Sequence, residues 1–260
     1  MPLDIKALAE FAEHLTRISR GMLEPVLGAR PDAELKPDKS FVTALDKAIE
    51  QRLRREITAR HPDHGIMGEE EGHERPEAAI QWILDPIDGT AAFIAGIPVF
   101  GTLVALAVEA TPVIGVIDLP STRDHWLGVA GQPTFRNGAA CHTRACTRLE
   151  DAILSTSNPD FYAPHELPVL EKLKPLTRWR VYGGSAMSYG LLASGRIDVS
   201  VDTRLAVHDF AGFRPIIEGA GGVITDWQGN PVTITSGPRI LAAGDPARHA
   251  EALAHIKGMC

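Results

Sequence analysis

Two aspartates three positions apart, Asp85 and Asp88, end an apolar run in WILDPIDGT (82–90) and are followed at once by Gly89-Thr90. GEEEG at 68–72 places Glu69, Glu70 and Glu71 just after Ile66-Met67, and HDFAG at 208–212 puts Asp209 at the start of an apolar segment. Singly, each has an ordinary explanation: turn or N-cap aspartates, and a solvated acidic loop. Together they form a three-part constellation. If Glu69, Asp85, Asp88 and Asp209 converge, unit charges about 4 Å apart at an effective dielectric near 20 repel by roughly 4 kcal/mol. Such a pocket needs raised pKa values or a compensating cation. Mg²⁺ is a natural solution, since it works through a few carboxylates, water and a substrate phosphate. The Ile87 carbonyl offers a further oxygen. Gly89-Thr90, read as a turn entering a helix, offers backbone N–H groups suited to a phosphate.

These acids need a frame. Leu8, Phe11, Leu15, Ile18 and Met22 recur at steps of three and four, one face of an amphipathic helix. Leu45, Ile49, Leu53 and Ile57 predict a second helix that stops near His61-Pro62. Between them RPDAELKPDKS (30–40) reads as a polar, proline-bearing loop. The period then shortens. AIQWIL, GTLVALAVE, TPVIGVIDL and DHWLGVA are β-branched-rich runs divided by Gly, Pro or Thr. Pro86 cannot donate to a ladder, so the strand carrying WIL is expected to end there. RNGAA at 136–140 carries an Asn-Gly turn that closes a first layered unit. Strands AILSTSN, DVSVD, GGVITDW and RILAAG then mix with helices around 185–194, 209–220 and 246–256. Gly195 and Gly221 stand where helix-ending glycines belong. Interleaved helices and strands predict an α/β (α+β) layered fold. We expect an α+β subdomain over 1–140 carrying most of the acids, and an α/β subdomain over 141–260 supplying Asp209.

The chain has 260 residues, enough to bury a sizeable core, and a formal net charge of −7, which argues against a nucleic-acid backbone or an anionic membrane as main partner. No uninterrupted run of 18 apolar residues is present, and MPLDIKALAEFAEHL lacks a signal-peptide core. Cys141, Cys146 and Cys260 form no C-x-x-C pair, so reduced thiols and a cytoplasmic setting are expected. The P-loop, G-x-G-x-x-G and G-x-S-x-G patterns are absent, as is Cys/His spacing for zinc. The aspartate pair is also one position too wide for the D-x-D of phosphatases that form a phospho-aspartate.

GEE at 68–70, WILDPIDGT at 82–90 and HDFAG…EGAGG at 208–222 resemble, in combination, the three signatures of the inositol monophosphatase family. FVTALD at 41–46 resembles a fourth segment, and the likeness runs from about residue 36 to 245. It implies a Mg²⁺-dependent phosphomonoesterase with a layered αβαβα sandwich, usually a homodimer, acting on a small phosphorylated metabolite. It implies two or three Mg²⁺ ions held by Glu69, Asp85, the Ile87 carbonyl, Asp88 and Asp209. Phosphate contacts fall to Asp88, Gly89 and Thr90, water orientation to Thr90 and Asp46, and support to Glu70. Ser185 and Asp202 occupy positions that face substrate in members of the family; read alone they are a helix cap and a turn residue. The longer patterns DGTAAFIAGIPVFGTLVALAVE and PIIEGAGGVITDWQG are most similar to the histidinol-phosphate phosphatase branch, which implies L-histidinol phosphate as substrate. Gly183-Gly184-Ser185 stands where that branch often carries Gly-Gly-Asp, so an inositol, sugar or nucleotide phosphate is the alternative. A non-catalytic regulatory binding role is a further alternative, disfavoured because every expected ligand position is filled. His208 stands where many members have Trp, and is expected to pack rather than to ligate.

Overall fold

In the computed structural model, which describes residues 3–29, 31–36 and 41–259, the first apolar stripe lies on the buried side of helix α1 (Ile5–Leu23). Leu8, Phe11 and Leu15 are buried there, and the Asp4 carboxylate caps the helix by accepting from the Ala7 N–H. The expected loop at 30–40 needs correction. Its residues Ala33–Leu35 form strand β1, paired antiparallel with β2 (Phe41–Thr43), while residues 30 and 37–40 lie outside the described ones. Three residues with no buried side chain are too few for a periodic signal. Helix α2 (Ala44–Arg60) follows at once, with a reciprocal capping box between Thr43 and Asp46.

A mainly antiparallel sheet comes next. It comprises β3 (Gly65–Gly68), β4 (Gly72–Glu74) and β5 (Ile80–Asp88), then, after the short helix α3 (Thr90–Ala95), β6 (Gly101–Val108), β7 (Thr111–Leu119), β8 (Asp124–Val129), β9 (Phe135–Arg136) and β10 (Ala139–Ala140). The order is β10-β9-β8-β7-β6-β5-β3-β4, with β3 and β5 parallel. Asn137 and Gly138 close the last hairpin with φ of 52° and 78°, the left-handed pair that a two-residue turn of primed type requires. The expectation that Pro86 ends its strand is overturned. β5 continues to Asp88, and the missing donor is absorbed in a bulge, because Asp85 pairs with Leu103 and Asp88 with Gly101.

The second sheet contains β11 (Ile153–Thr156), β12 (Trp179–Tyr182), β13 (Val199–Asp202), β14 (Val223–Asp226) and β15 (Ile240–Ala243), in the order β12-β11-β13-β15-β14. Helix α4 (Leu167–Leu173) precedes β12, and neither element is legible in the sequence, where seven residues give the one too short a period and exposure flattens the other. α5 (Ser185–Ala193) and α8 (Pro246–Ile256) lie near their expected places. The single helix expected at 209–220 is instead two short ones, α6 (Val207–Phe210) and α7 (Phe213–Gly219). The break falls where the backbone meets the first sheet: a Cβ on Gly115 of β7 would lie 2.0 Å from the Gly212 carbonyl oxygen.

The layers stack in five. α1 and α2 cover one face of the first sheet, α5 and α7 fill the space between the sheets, and α4 and α8 cover the outer face of the second. This is an α/β layered αβαβα sandwich. The chain leaves the first sheet after Ala140 and enters the second at Ile153.

Candidate metal centre

The bulge in β5 is what makes the aspartate pair useful. In a regular strand, side chains three positions apart point to opposite faces. One extra residue between the paired positions restores the register, and Asp85 and Asp88 turn to the same side. There they meet Asp209, which sits in the first turn of α6 with its carboxylate accepting from the Ala206 N–H at 2.6 Å. Asp85, Asp88 and Asp209 each present an oxygen, all within 4.8 Å of one another. A second group, Glu69, Asp85 and His208, meets the same limit. The structure therefore brings together the four acids expected to converge.

Glu69 is held by the hairpin turn between β3 and β4. Below that turn lies Glu50 of α2, fully buried and accepting from the N–H groups of Glu70 (2.8 Å) and Glu71 (3.0 Å) and from Arg54 Nε (2.9 Å). Gly68 permits this approach, since a Cβ there would lie 2.1 Å from Glu50 Oε1. Lys36 comes in from the other side, its Nζ 2.8 Å from Glu69 Oε1 and 2.7 Å from Glu70 Oε1. Although burial opposes its charge, the hydrogen bonds and charges of Glu69 and Glu70 raise its pKa overall. Sequence reading missed both groups. Glu50 left a trace, as an acid one turn beyond Asp46 on the same helix face; Lys36 left none.

Thr90 begins α3 directly after Gly89, whose φ of 77° is left-handed and whose missing side chain leaves room for Ser185 Oγ and Phe100. The Thr90 hydroxyl lies 3.0 Å from the Ile87 carbonyl and 3.4 Å from Asp46 Oδ1, a single proton shared between two acceptors. Asp46 is itself held by the Thr43 N–H and hydroxyl, and burial pushes its pKa up. Ser185, with a strained φ of 44°, begins α5 beside Gly89, and the next N–H, of Ala186, donates to Asp88 Oδ2 at 2.9 Å. Asp202 departs from expectation. It is 2% exposed, and its oxygens accept from Thr156 Oγ1, the Ser157 N–H and Tyr189 Oη. Three donors tie it into the joint of β11, β13 and α5, so it is neither a turn residue nor freely exposed.

The electrostatics point to a cation. Burial first, then repulsion from Glu69, Asp88 and Asp209, drives the Asp85 pKa well above the carboxylate range. Burial and Asp209 raise Asp88 to about 8, and burial with Glu69 raises Asp209 to about 7 despite its hydrogen bond from Ala206. Burial keeps the His208 imidazole on the neutral side of its ordinary range. Asp85 is 1% exposed, yet its Oδ1 has no hydrogen-bond partner. A buried, unpaired carboxylate oxygen among acids that repel each other is costly as it stands. The all-oxygen group of Asp85, Asp88 and Asp209 fits a hard divalent ion.

A layered α/β fold with such an acidic pocket beside a glycine-initiated helix start defines a class: metal-dependent phosphoester hydrolases. Residues 4–258 match the model of the inositol monophosphatase family, and the chain belongs to that family. It is 37% identical over 231 residues to the chloroplastic bifunctional phosphatase IMPL2 of Arabidopsis thaliana, covering 85% of this chain and 67% of that one. It is 34% identical to the histidinol-phosphatase of Mycobacterium tuberculosis, covering 86% of each. Among solved structures, an inositol monophosphatase from Zymomonas mobilis superposes with a TM-score of 0.90 at 37% identity, over 98% of this chain and 99% of that one. The chain is thus a phosphomonoester hydrolase. Among the described residues, Cys141 and Cys146 are free thiols, Cys260 lies outside them, and no helix is long and apolar enough to cross a membrane.

Proposed function

We propose that the protein hydrolyses a small phosphate monoester, L-histidinol phosphate first, with two or three Mg²⁺ ions held by Glu69, Asp85, the Ile87 carbonyl, Asp88 and Asp209. The observation that carries this reading is the convergence of three aspartates and Glu69 around a buried carboxylate oxygen that lacks a partner. Asp85 belongs to both donor groups, which supports a cation on either side of it. When bound, the ions supply Lewis-acid chemistry, withdrawing charge from the phosphoryl oxygens and acidifying water.

The chain's own residues do the rest. The first N–H groups of α3 have no partner within the helix and receive phosphoryl oxygens, with Gly89 allowing close approach. Thr90 and Asp46 orient the attacking water, and its proton has a path through the Thr90 hydroxyl to Asp46. The water oxygen forms the new bond to phosphorus as the ester P–O bond breaks, and the departing alcohol takes up a proton. No protein nucleophile is required. Glu70 supports the arrangement through Lys36.

The histidinol-phosphatase of M. tuberculosis, matched over most of both chains, supports L-histidinol phosphate. One observation favours a second reading. Ser185 puts a neutral hydroxyl beside Gly89, where an aminated substrate would gain from a carboxylate; a neutral polyol phosphate such as inositol 1-phosphate needs none. A kcat/KM panel of L-histidinol phosphate, inositol 1-phosphate, fructose 1,6-bisphosphate and adenosine 3′,5′-bisphosphate decides. An order-of-magnitude lead for inositol 1-phosphate replaces the first reading with the second. Full turnover in excess chelator removes the metal from both. The reading extends to a cytoplasmic homodimer, supported by the free thiols and by edge strand β12, where Trp179 is 66% exposed. A monomer by light scattering discards the dimer.

A further inference from the structure

The residue before Asp209 stands out once its neighbours are known. We infer that His208 is a nitrogen ligand which, with Glu69 and Asp85, forms a mixed nitrogen–oxygen position that takes Mn²⁺ in preference to Mg²⁺. The inference rests on the metal reading above and deepens it. The geometry is the first support: a ring nitrogen of His208 and one oxygen each from Glu69 and Asp85 all lie within 4.8 Å of one another. Adjacent donors of one octahedral ion lie about 3.0 Å apart and opposite ones about 4.2 Å, so an ion must draw the three side chains together by rotation. Asp85 Oδ1, buried without a hydrogen-bond partner, leaves Asp85 with a donor oxygen to share between the two groups. Second, His208 is not consumed elsewhere by its nearest acid, because its Nε2 is 3.7 Å from Asp209 Oδ1, beyond hydrogen-bonding range.

The chemistry of the donors then separates two positions. Asp85, Asp88 and Asp209 offer oxygen alone, which suits Mg²⁺; an imidazole is a better ligand for later transition ions such as Fe²⁺ and Zn²⁺, and Mn²⁺, less demanding in geometry and hydration than Mg²⁺, tolerates it better. Lys36 competes for Glu69, but its ammonium already bridges to Glu70 and keeps that contact when a cation takes the Glu69 carboxylate.

The test uses the full chain and the metal alone, without substrate. Mn²⁺ is titrated into the wild type, His208→Phe and His208→Trp, and followed by pulsed electron paramagnetic resonance and by calorimetry against Mg²⁺. Circular dichroism confirms that each variant is folded. Wild type is expected to show nitrogen hyperfine modulation on bound Mn²⁺. Both variants should lose it, with the preference for Mn²⁺ over Mg²⁺ falling about tenfold. Mn²⁺ bound without nitrogen modulation, or an unchanged preference in the variants, overturns the role of His208 and leaves the metal reading standing. If neither ion binds, both are overturned.

Discussion

At Asp88 two demands oppose each other. The Ala186 N–H favours a charged carboxylate, while burial and Asp209 push its pKa to about 8. Asp88→Asn keeps an acceptor for Ala186 and removes the charge. We expect phosphate release to fall by about a hundredfold, while at about pH 8.5, where the wild-type carboxylate is charged, the metal-free variant melts no lower than wild type, because a repulsion has gone. Wild-type turnover in this variant would take Asp88 out of the metal site. The same shifts set a pH dependence. Asp88 at about 8 and Asp209 at about 7 lie above the ordinary carboxylate range in the folded chain. The folded state therefore binds more protons than the unfolded state between those limits. The stability from these two groups is full at low pH and is lost as pH rises through about 7 to 8. Chelator-treated protein should melt lower at about pH 8.5 than at about pH 6, and Mg²⁺ should flatten the difference. A melting temperature that rises over this interval without metal speaks against the coupling.

Among the elements, the contact of β7 with the α6–α7 break is the tightest support of the site. A methyl on Gly115 would meet the Gly212 carbonyl oxygen at 2.0 Å, and Gly212 is three residues from Asp209. Gly115→Ala must displace the backbone that carries the ligand. The expected cost is about 1–3 kcal/mol in urea unfolding, together with weaker Mg²⁺ binding measured by calorimetry. If stability falls and metal affinity does not, the break is a packing feature alone. The bulge in β5 belongs to the same scale, because it decides which face receives Asp85.

For the whole molecule, the proposed ligands span residues 69 to 209 and come from the β3–β4 turn, β5 and α6. An ion bound there ties the first sheet to the layer between the sheets. At a free concentration of about 100 times the dissociation constant, it adds about 2.7 kcal/mol. For a chain of this length that corresponds to a rise of about 5–10 °C in melting temperature. Thermal melts with Mg²⁺ and with chelator measure it directly, and identical curves would contradict a cation at the joint.

The sequence by itself determined the local features: the apolar periods of α1 and α2, the Asn137-Gly138 turn, the layered alternation of helix and strand, and the acids themselves. These follow from side-chain spacing and backbone chemistry within a few residues. Tertiary structure decided which acids meet and what surrounds them. The bulge that absorbs Pro86 needs the ladder of β6, and the split of the expected helix at 209–220 needs the surface of β7. Lys36 reaches Glu69 across 33 positions, Glu50 reaches Glu70 across 20, and Asp202 is buried by Thr156, Ser157 and Tyr189 from other elements. Such contacts depend on how the layers stack, which no spacing along one strand or helix encodes.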